Sequence, residues 1–422
     1  MIIKPKGTLD IFGEEGKKWL YVNQVVEEVM TRYNYEYIRT PIFESTELFH
    51  RGVGDTTDIV TKETYDFKDR GDRSMTLRPE GTAGVVRAFI ENKMYGRPEQ
   101  PVKLWYNGTM YRYERPQSGR DRELTQFGIE VLGSRDEMID AEIISIPYNI
   151  FKLLGLKNVK VHINSLGDVE SRNKYHDALI EYFEPHIDEF CEDCKERLHK
   201  NPLRILDCKV DGDKDLIKNA PVMLDYLNEE SKNRFETVQA YLDDLDINYE
   251  VDPHVVRGLD YYSDTVFEIT ADLPGAGANN VLCGGGRYDN MVKDLGGPET
   301  PGMGFACGVG RLLWALETEE VKLPINNELD AFVLYNSDLE KEYAVALTQD
   351  LRLNGFKVDT EYMGRNIKGQ FKQADRYNAK FLIILNSEDM AGGEIQVKDN
   401  QTKETTMVKE AELDDYLDLN LK

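Results

Sequence analysis

The chain has 422 residues, too many for one ordinary hydrophobic core, so two or three domains are predicted. Its 41% hydrophobic and 31% charged residues are typical of a soluble globular protein, and no apolar run approaches the length of a membrane span. The formal net charge of −25 argues against indiscriminate polyanion binding but leaves room for a local basic patch. The five cysteines are few and odd in number, and the N-terminus lacks the apolar core of a secretion signal, so a cytosolic protein without a disulfide framework is expected.

Helix and strand patterns mix in the first part of the chain, to residue 168. Residues 16–35 have apolar side chains at helical spacing, which predicts a helix. The stretch YEYIRTPIFE reads as a strand interrupted by Pro41, which cannot donate to a ladder and so belongs at an edge or an interface. A clear strand follows in NVKVHINSLGD.

The rest of the chain divides by composition. Residues 169–249 are rich in Lys, Glu, Asp and Leu at helical spacing and are interpreted as a helical insertion. Strand character returns over 250–325, where a glycine-rich run leads into the helix RLLWALE. After a charged linker, residues 328–422 alternate apolar strands with helices, which predicts a small α/β domain with a mostly parallel sheet.

The stretch YNGTMYRYERPQSGRDRELTQFGIE, residues 106–130, predicts a hairpin that carries functional groups. Alternation places Arg112 and Glu114 on one face of the first strand, and Gln126 and Glu130 on one face of the second. Arginine beside carboxylates and an amide can hold both a phosphate and an ammonium or imidazole group. From spacing alone, a solvated hairpin whose charges pair with each other explains the pattern equally well.

Other segments of the chain favour a nucleotide-binding site over a solvated hairpin. The chain has no Walker A pattern and no glycine fingerprint opening a βαβ unit, so phosphates would be held by arginines and metal. TLRPEGTAG supplies Glu80 and Thr82, VVRGLDYYSD supplies Arg257 beside two tyrosines, and GMGFACGVGRLLWALE places Arg311 near the start of a helix.

Together these stretches resemble the three signature motifs of class II aminoacyl-tRNA synthetases: the proline-bearing strand, the arginine hairpin and the glycine run that ends in Arg311. RGLDYY and GGGRYD are similar to the histidine-specific pair of the histidyl-tRNA synthetase family. PKGTLDI, GDTTDIV, LRPEGT and NPLRILDCK fit the same family, so the resemblance covers nearly the whole chain.

The resemblance implies an α+β fold: an antiparallel sheet flanked by helices, with a helical insertion and a C-terminal α/β anticodon-binding domain. The implied reaction joins L-histidine to ATP as histidyl-adenylate and then transfers histidine to its tRNA. The implied cofactors and partners are ATP as substrate, Mg²⁺, tRNA(His) and a second copy of the chain through the first motif, with no membrane.

Site roles follow from the same resemblance. Arg112, Arg257 and Arg311 are the catalytic cations. ATP contacts are assigned to Arg112, Glu114, Arg120, Leu124 and Arg311, with Leu124 standing where the family usually has a phenylalanine. Histidine contacts are assigned to Glu80, Thr82, Gln126, Glu130, Tyr262 and Tyr288.

Two sets of residues are assigned to tRNA. Gln117 and Arg122 fall where the family reads the acceptor end. In GRNIKGQFKQADRYNAK, basic residues recur at three- and four-residue intervals and predict one basic stripe on a helix: Arg365, Lys368, Lys372, Arg376 and Lys380. A solvated face is the alternative for this stripe.

A metal site in the insertion is the remaining possibility. CEDC is half of a zinc ribbon, with His199 and Cys208 downstream, but the second half lacks the spacing of common zinc fingers. We therefore expect no metal there, and one zinc per purified chain would overturn this expectation.

Two alternative functions remain open. A regulatory subunit of ATP phosphoribosyltransferase resembles the same catalytic core and binds histidine without charging tRNA. Such relatives usually lack the anticodon domain and lose catalytic arginines, whereas this chain keeps both. A class II synthetase for another amino acid is the second alternative, and RGLDYY speaks against it.

Overall fold

The structure is a computed structural model that describes residues 1–54, 57, 59–116, 119, 121–206, 208, 210–212, 214–255, 261–274 and 280–421. The chain divides into two compact units, Met1–Leu323 and Pro324–Lys422. No helix in the described ranges combines the length and hydropathy that crossing a bilayer requires. The finer division predicted from composition, into 1–168, 169–249, 250–325 and 328–422, stays a prediction.

Unit 1 contains eleven described strands. They are β1 (Glu36–Tyr37), β2 (Phe43–Ser45), β3 (Tyr65–Lys68), β4 (Ser74–Leu77), β5 (Val102–Tyr111), β6 (Glu123–Leu132), β7 (Val159–Ser165), β8 (Tyr249–Val251), β9 (Ser263–Ala271), β10 (Val281–Arg287) and β11 (Gly302–Gly308). Eight of them form the main sheet in the order β1-β5-β6-β11-β10-β9-β7-β8, and β2, β4 and β3 form a small separate sheet. The main sheet is antiparallel except where β1 pairs with β5 and β8 with β7.

The α-helices of unit 1 are α1 (Gly13–Arg32), α2 (Thr46–Val53), α3 (Thr82–Glu91), α4 (Glu137–Leu154), α5 (Val169–Phe183), α6 (Glu192–Lys200), α7 (Leu203–Leu206), α8 (Asp215–Lys218), α9 (Glu229–Asp244), α10 (Met291–Asp294) and α11 (Val309–Thr318). A π-helix covers Ile59–Glu63, and 3₁₀ turns cover Met94–Gly96, Glu184–Glu189 and Met223–Tyr226. The predicted α+β class, an antiparallel sheet flanked by helices, is confirmed.

The two faces of the main sheet carry different cores. On β6, Phe127, Ile129 and Val131 point into the larger core, which also receives the apolar faces of α1, α4, α9 and α11. Leu132 lies in a second core with residues of α2 and α3. Because side chains alternate along a strand, Gln126 and Glu130 belong to the face opposite the larger core.

Residues 169–227, here called the satellite lobe, pack around a third core of their own. The lobe contains α5 to α8, and two of these helices have only four residues each. Helix α9 lies outside this core, since Phe235, Val238 and Leu242 pack into the larger core of the main sheet.

Unit 2 consists of β12 (Leu329–Leu334), α12 (Asp338–Leu353), β13 (Val358–Thr360), α13 (Ile367–Arg376), β14 (Ala379–Ile384), α14 (Ser387–Ala391), β15 (Glu394–Asp399), β16 (Thr405–Lys409) and α15 (Leu413–Leu421), with a 3₁₀ turn at Glu410–Glu412. Its sheet has the order β13-β12-β14-β15-β16. Strands β13, β12 and β14 pair in parallel, whereas β15 and β16 are antiparallel, so the sheet is mixed. Only the half in which strands alternate with helices, β12 to β14, matches the predicted mostly parallel arrangement.

Candidate active site

The predicted hairpin is β5 and β6, which pair in register from Val102–Leu132 to Tyr111–Glu123. One detail of the prediction is wrong: β5 ends at Tyr111, so Arg112 and Glu114 lie beyond the strand rather than on one of its faces. The chain is drawn away because the Tyr113 amide donates to the carbonyl oxygen of Glu63 at 2.7 Å. Arg112 still reaches the hairpin opening, where its amide donates to the Arg122 carbonyl at 2.9 Å.

Arg112 and Arg311 line one cleft with a volume of about 240 Å³. The Nε of Arg112 donates to the Pro79 carbonyl at 2.8 Å, and the Nη1 of Arg311 donates to the Val281 carbonyl at 2.7 Å. Two guanidinium groups from segments about 200 positions apart are thus fixed at a single opening. Arg257, Arg120 and Gln117 lie outside the described residues.

Polar and apolar groups share the rest of the cleft. Glu114, Asp121 and Gln126 line it, and Leu124 contributes an apolar wall. The Oε1 atom of Gln126 is buried and has no hydrogen-bond partner among the described residues, which leaves it available as an acceptor. The pKa of the Asp121 carboxyl is raised by burial.

A buried polar cluster lies farther along the same face of β6. Thr82 Oγ1 donates to Glu130 Oε1 at 2.6 Å, and the Tyr288 hydroxyl donates to Glu130 Oε2. Glu80 accepts from the amides of Thr82 and Ala83 at 2.7 and 2.8 Å at the start of α3. The structure therefore brings four predicted histidine-binding residues, Glu80, Thr82, Glu130 and Tyr288, into one network.

Tyr262 joins this cluster through ring contacts. Its ring centroid lies 4.5 Å from that of Tyr261, which in turn lies 5.7 Å from that of Tyr288. Tyr262 is buried, and its carbonyl accepts from Arg172 at 3.0 Å.

Burial perturbs the acids of the cluster strongly. Desolvation raises the pKa of Glu130 to about 8, against the opposing hydrogen bonds from Thr82 and Tyr288. Burial also raises the pKa of Glu80, although backbone amides and Arg112 act in the other direction. Perturbed carboxyls next to a cleft are typical of functional sites.

Glycines create the space in which these groups sit. A Cβ on Gly304 would collide with Glu130, and a Cβ on Gly128 would collide with the Tyr106 ring and the Phe305 carbonyl. Gly128 lies between Gln126 and Glu130 on β6, so between the cleft and the buried cluster this face of the strand is covered by the Tyr106 ring and not by a side chain of its own.

Three contributions to the site were not predicted. Tyr106 packs against Gly81 and Gly128. The absence of a side chain at both positions is the sequence signal that could have indicated this contact. Leu9 and Ile11 line the cleft from the N-terminal segment, which is pinned where the amides of Arg122 and Glu123 donate to the Gly7 carbonyl.

Two motif arginines are structural instead. Arg78 is buried and donates to the carbonyls of Thr109 and Thr40 at 2.8 and 3.0 Å, so it ties the first motif to the hairpin. Arg287 is fully buried and pairs with Asp140.

The predicted tRNA contacts lie in different places. The Arg122 Nε donates to the Glu114 carbonyl at 3.1 Å, and its guanidinium carbon lies 3.9 Å from the centroid of the Tyr113 ring. In unit 2 the predicted stripe is shorter than expected. Helix α13 covers Ile367–Arg376, so only Lys368, Lys372 and Arg376 lie on it, and all three are exposed. Arg365 precedes the helix and pairs with Glu361, and Lys380 lies on β14.

Comparison with known proteins decides the family. Residues 7–312 match the sequence model described as histidyl-tRNA synthetase, and residues 323–419 match an anticodon-binding domain. The chain belongs to the histidyl-tRNA synthetase family. The histidine–tRNA ligase of Anoxybacillus flavithermus is 56% identical over 400 residues, 95% of each chain, and that of a Geobacillus species is 55% identical over 413 residues, 98% of each.

A solved structure gives the same answer. The apo histidyl-tRNA synthetase of Staphylococcus aureus has a TM-score of 0.86 and 47% identity, covering 99% of this chain and all of that one. The predicted family, the ligase activity and the fold with its C-terminal anticodon-binding domain are confirmed. The regulatory-subunit alternative is less supported, because close full-length relatives are ligases and this domain is present.

Proposed function

We propose that this chain, as a histidyl-tRNA synthetase family member, activates L-histidine with ATP and then charges tRNA(His) by means of the cleft and the buried cluster on β6. The observation that carries the proposal is the shared cleft of Arg112 and Arg311, which opens on the strand that bears the Glu130 network. Arginines that can bind phosphate and a buried polar cluster on one face of the same strand suit a reaction that joins a triphosphate to a small polar amino acid.

The first step places charge on phosphate oxygens. A carboxylate oxygen of histidine attacks the α-phosphorus of ATP and forms a bond with it. The bond between the α-phosphorus and the oxygen that bridges to the β-phosphate breaks, and pyrophosphate leaves. Arg112 holds the α-phosphate and Arg311 the γ-phosphate, since fixed cations stabilise this transition state without reorganisation. Arg257, which lies outside the described residues, bridges the histidine carboxylate and the α-phosphate.

ATP brings Mg²⁺ and an adenine ring to the cleft. Glu114 is a carboxylate on the cleft wall and fits Mg²⁺, which prefers oxygen ligands. When bound, Mg²⁺ neutralises phosphate charge. Leu124 covers one face of the adenine in place of an aromatic ring, with Arg120 beside the nucleotide.

Histidine occupies the buried cluster. Glu130 and Tyr262 meet the imidazole nitrogens, and Tyr288 both lines the recess and holds the Glu130 carboxylate. Glu80, Thr82 and Gln126 accept from the ammonium group, and the unsatisfied Oε1 of Gln126 supports this role. A recess built from polar groups rejects apolar analogues because its own groups would lose their partners.

The second step needs tRNA at both units. The terminal ribose hydroxyl attacks the acyl carbon of the adenylate, and AMP leaves as the new ester bond forms. Gln117 and Arg122 contact the acceptor end. Arg365, Lys368, Lys372 and Arg376 contact phosphates near the anticodon, as the exposure of the three α13 cations supports.

A homodimer forms through the first motif. Tyr37, Ile42 and Phe43 are exposed by 51, 40 and 51%, and Glu36–Tyr37 is an edge strand of the main sheet. Apolar groups clustered at a sheet edge are typical of an interface. The place of action is the cytoplasm, consistent with five cysteines of which none forms a disulfide.

Isotope exchange between pyrophosphate and ATP, measured with each amino acid in turn, tests the proposal. Exchange with histidine alone, followed by charging of tRNA(His), is the expected result. Histidine binding without exchange would favour the regulatory alternative, and exchange with a different amino acid would favour another class II specificity.

A further inference from the structure

The satellite lobe contains a cluster of metal-ligating atoms that the reaction does not use. Cys191, Cys194, Cys208 and Asp211 each offer one ligand atom, and these four atoms all lie within 4.8 Å of one another. Cys194, Cys208 and Asp211 are buried, and Cys191 is partly buried. We propose that these four side chains bind one structural Zn²⁺ ion, independently of the catalytic cleft.

Two of the distances within the cluster match tetrahedral coordination. Zinc–sulfur bonds of about 2.3 Å place two thiolates of a tetrahedron roughly 3.8 Å apart, and a carboxylate oxygen only slightly closer. Cys191 Sγ and Cys208 Sγ are 3.7 Å apart, and Cys208 Sγ lies 3.8 Å from Asp211 Oδ2. These two distances are those expected between ligands of one ion. The sulfur–sulfur distance is also much longer than the bond of a disulfide.

Neighbouring groups orient the carboxylate. The Nζ of Lys214 lies 3.1 Å from Asp211 Oδ1, which leaves Oδ2 to face the sulfur atoms. The Cys191 amide donates to Asp211 Oδ2 at 2.8 Å, and the Asp211 amide donates to Cys208 Sγ at 3.4 Å. Such supporting contacts hold the ligands of a closed site in position, and Lys214 offsets part of the charge of three thiolates and a carboxylate.

The ligand set differs from the one considered in the sequence. His199 is exposed and lies 3.9 Å from Glu184, so it does not belong to the cluster. The second half of the site is instead Cys208-x₂-Asp211, with the same two-residue separation as Cys191-x₂-Cys194. The two halves together make the paired pattern of a zinc ribbon, with a carboxylate in place of the fourth thiolate.

A bound metal ion that cross-links two segments suits the architecture of the satellite lobe. Its described part has no strand, and α7 and α8 are single turns that pack around a small core. Small cores of this kind commonly depend on a disulfide or a metal. An ion bound here links the start of α6 to the segment after α7.

Metal analysis of the full-length chain, purified without chelator or affinity-column metal, tests the proposal. We expect one zinc per chain in the wild type and in two controls, His199→Ala and Cys307→Ala, which change the rejected histidine and a buried cysteine outside the lobe. Asp211→Asn and Cys208→Ser should each lose most of the zinc. Cobalt exchanged into the wild type should give the visible absorption of a tetrahedral thiolate site, a readout that requires no variant to fold.

Several outcomes would overturn the proposal. The first is a zinc content below a tenth of an ion per wild-type chain, even after refolding with Zn²⁺. The second is a site that holds iron in place of zinc, or a metal-free protein with a Cys191–Cys208 disulfide. The third is a His199→Ala variant that loses zinc while Asp211→Asn retains it. Because ATP–pyrophosphate exchange is measured separately, failure here leaves the proposed catalytic function untouched.

Discussion

Thr82 and Glu130, 48 positions apart, are joined by a hydrogen bond of 2.6 Å from Oγ1 to Oε1. The bond ties the first residue of α3 to the C-terminal half of β6, in a place where both side chains are buried. It fixes one carboxylate oxygen while Tyr288 fixes the other. Glu130 is therefore held in one position, and its burial raises its pKa to about 8 against these two hydrogen bonds, so its ionisation can be followed by varying the pH.

Replacing Glu130 with glutamine should flatten the pH dependence of stability. The folded chain holds the carboxyl proton with a pKa of about 8 against 4.5 unfolded, so the free energy of unfolding falls as pH rises from about 4.5 to 8. The wild type should lose up to about 1.4 kcal/mol per pH unit in this window from this group. Glu130→Gln should lack that loss.

Urea unfolding followed by tryptophan fluorescence is the measurement, because Trp19, Trp105 and Trp314 are the three tryptophans of the chain and all lie in unit 1. Superimposable pH profiles for the wild type and Glu130→Gln would show that Glu130 is already ionised near neutrality.

Arg311→Ala should slow ATP–pyrophosphate exchange by a factor of roughly 10² to 10³, because it removes one fixed cation from the triphosphate. The kinetic parameters for ATP should account for the loss, whereas the dissociation constant of histidine should stay within about twofold of the wild-type value. Arg73→Ala is the matched control, since Arg73 pairs with Asp69 at the surface and lies away from the cleft. Equal exchange rates for Arg311→Ala and the wild type would show that Arg311 does not bind the triphosphate.

Gly304→Ala should weaken histidine binding at least tenfold. The added Cβ would collide with Glu130 and with the Ile129 carbonyl, and neither a carboxylate held by two hydrogen bonds nor a central strand can retreat easily. Gly96→Ala adds the same methyl group where no atom lies within 4 Å. Calorimetric titration with histidine compares the two, and unchanged affinity in Gly304→Ala would mean that the recess does not hold the amino acid.

Charge reversal on α13 should separate tRNA binding from activation. Lys368→Glu with Lys372→Glu should reduce tRNA affinity at least tenfold and lower its salt dependence, because phosphate contacts release counterions. Histidine-dependent ATP–pyrophosphate exchange should not change. Lys341→Glu with Lys409→Glu makes the same charge change at exposed lysines of α12 and β16. If both double variants bind tRNA equally, the effect is one of net charge and the α13 contact is absent.

Phe43→Glu should shift the chain from dimer to monomer in sedimentation analysis, because a carboxylate would be buried in the apolar contact around the first motif. Leu353→Glu is the control, since Leu353 is 75% exposed and lies in unit 2. A wild-type chain that sediments as a monomer at micromolar concentration would contradict the dimer directly.

Local pattern was enough to predict the hairpin, helix α1 and the alternating half of unit 2, because each depends on residues close in sequence. Distant partners decided the rest. The Glu63 carbonyl captures the Tyr113 amide and ends the strand before Arg112, which no pattern within the hairpin reveals.

The length of α13 illustrates the same limit on a smaller scale. Asn366 accepts from the Gly369 amide at 3.0 Å and so caps the helix, which leaves Arg365 outside it. Asp211 went unnoticed as a possible ligand because the sequence comparison looked for a fourth cysteine or a histidine. Cys208 and Asp211 repeat the spacing of Cys191 and Cys194, but only the folded lobe brings the two pairs together.

The glycines at 128 and 304 have a lasting consequence for the positions of two side chains. Each leaves the space that the Tyr106 ring and the Glu130 carboxylate occupy, respectively. Peptide groups hydrogen-bonded into neighbouring strands have none of the rotamer freedom of a side chain. The placement of Tyr106 and Glu130 therefore persists as long as the ladder between β6 and β11 stays intact.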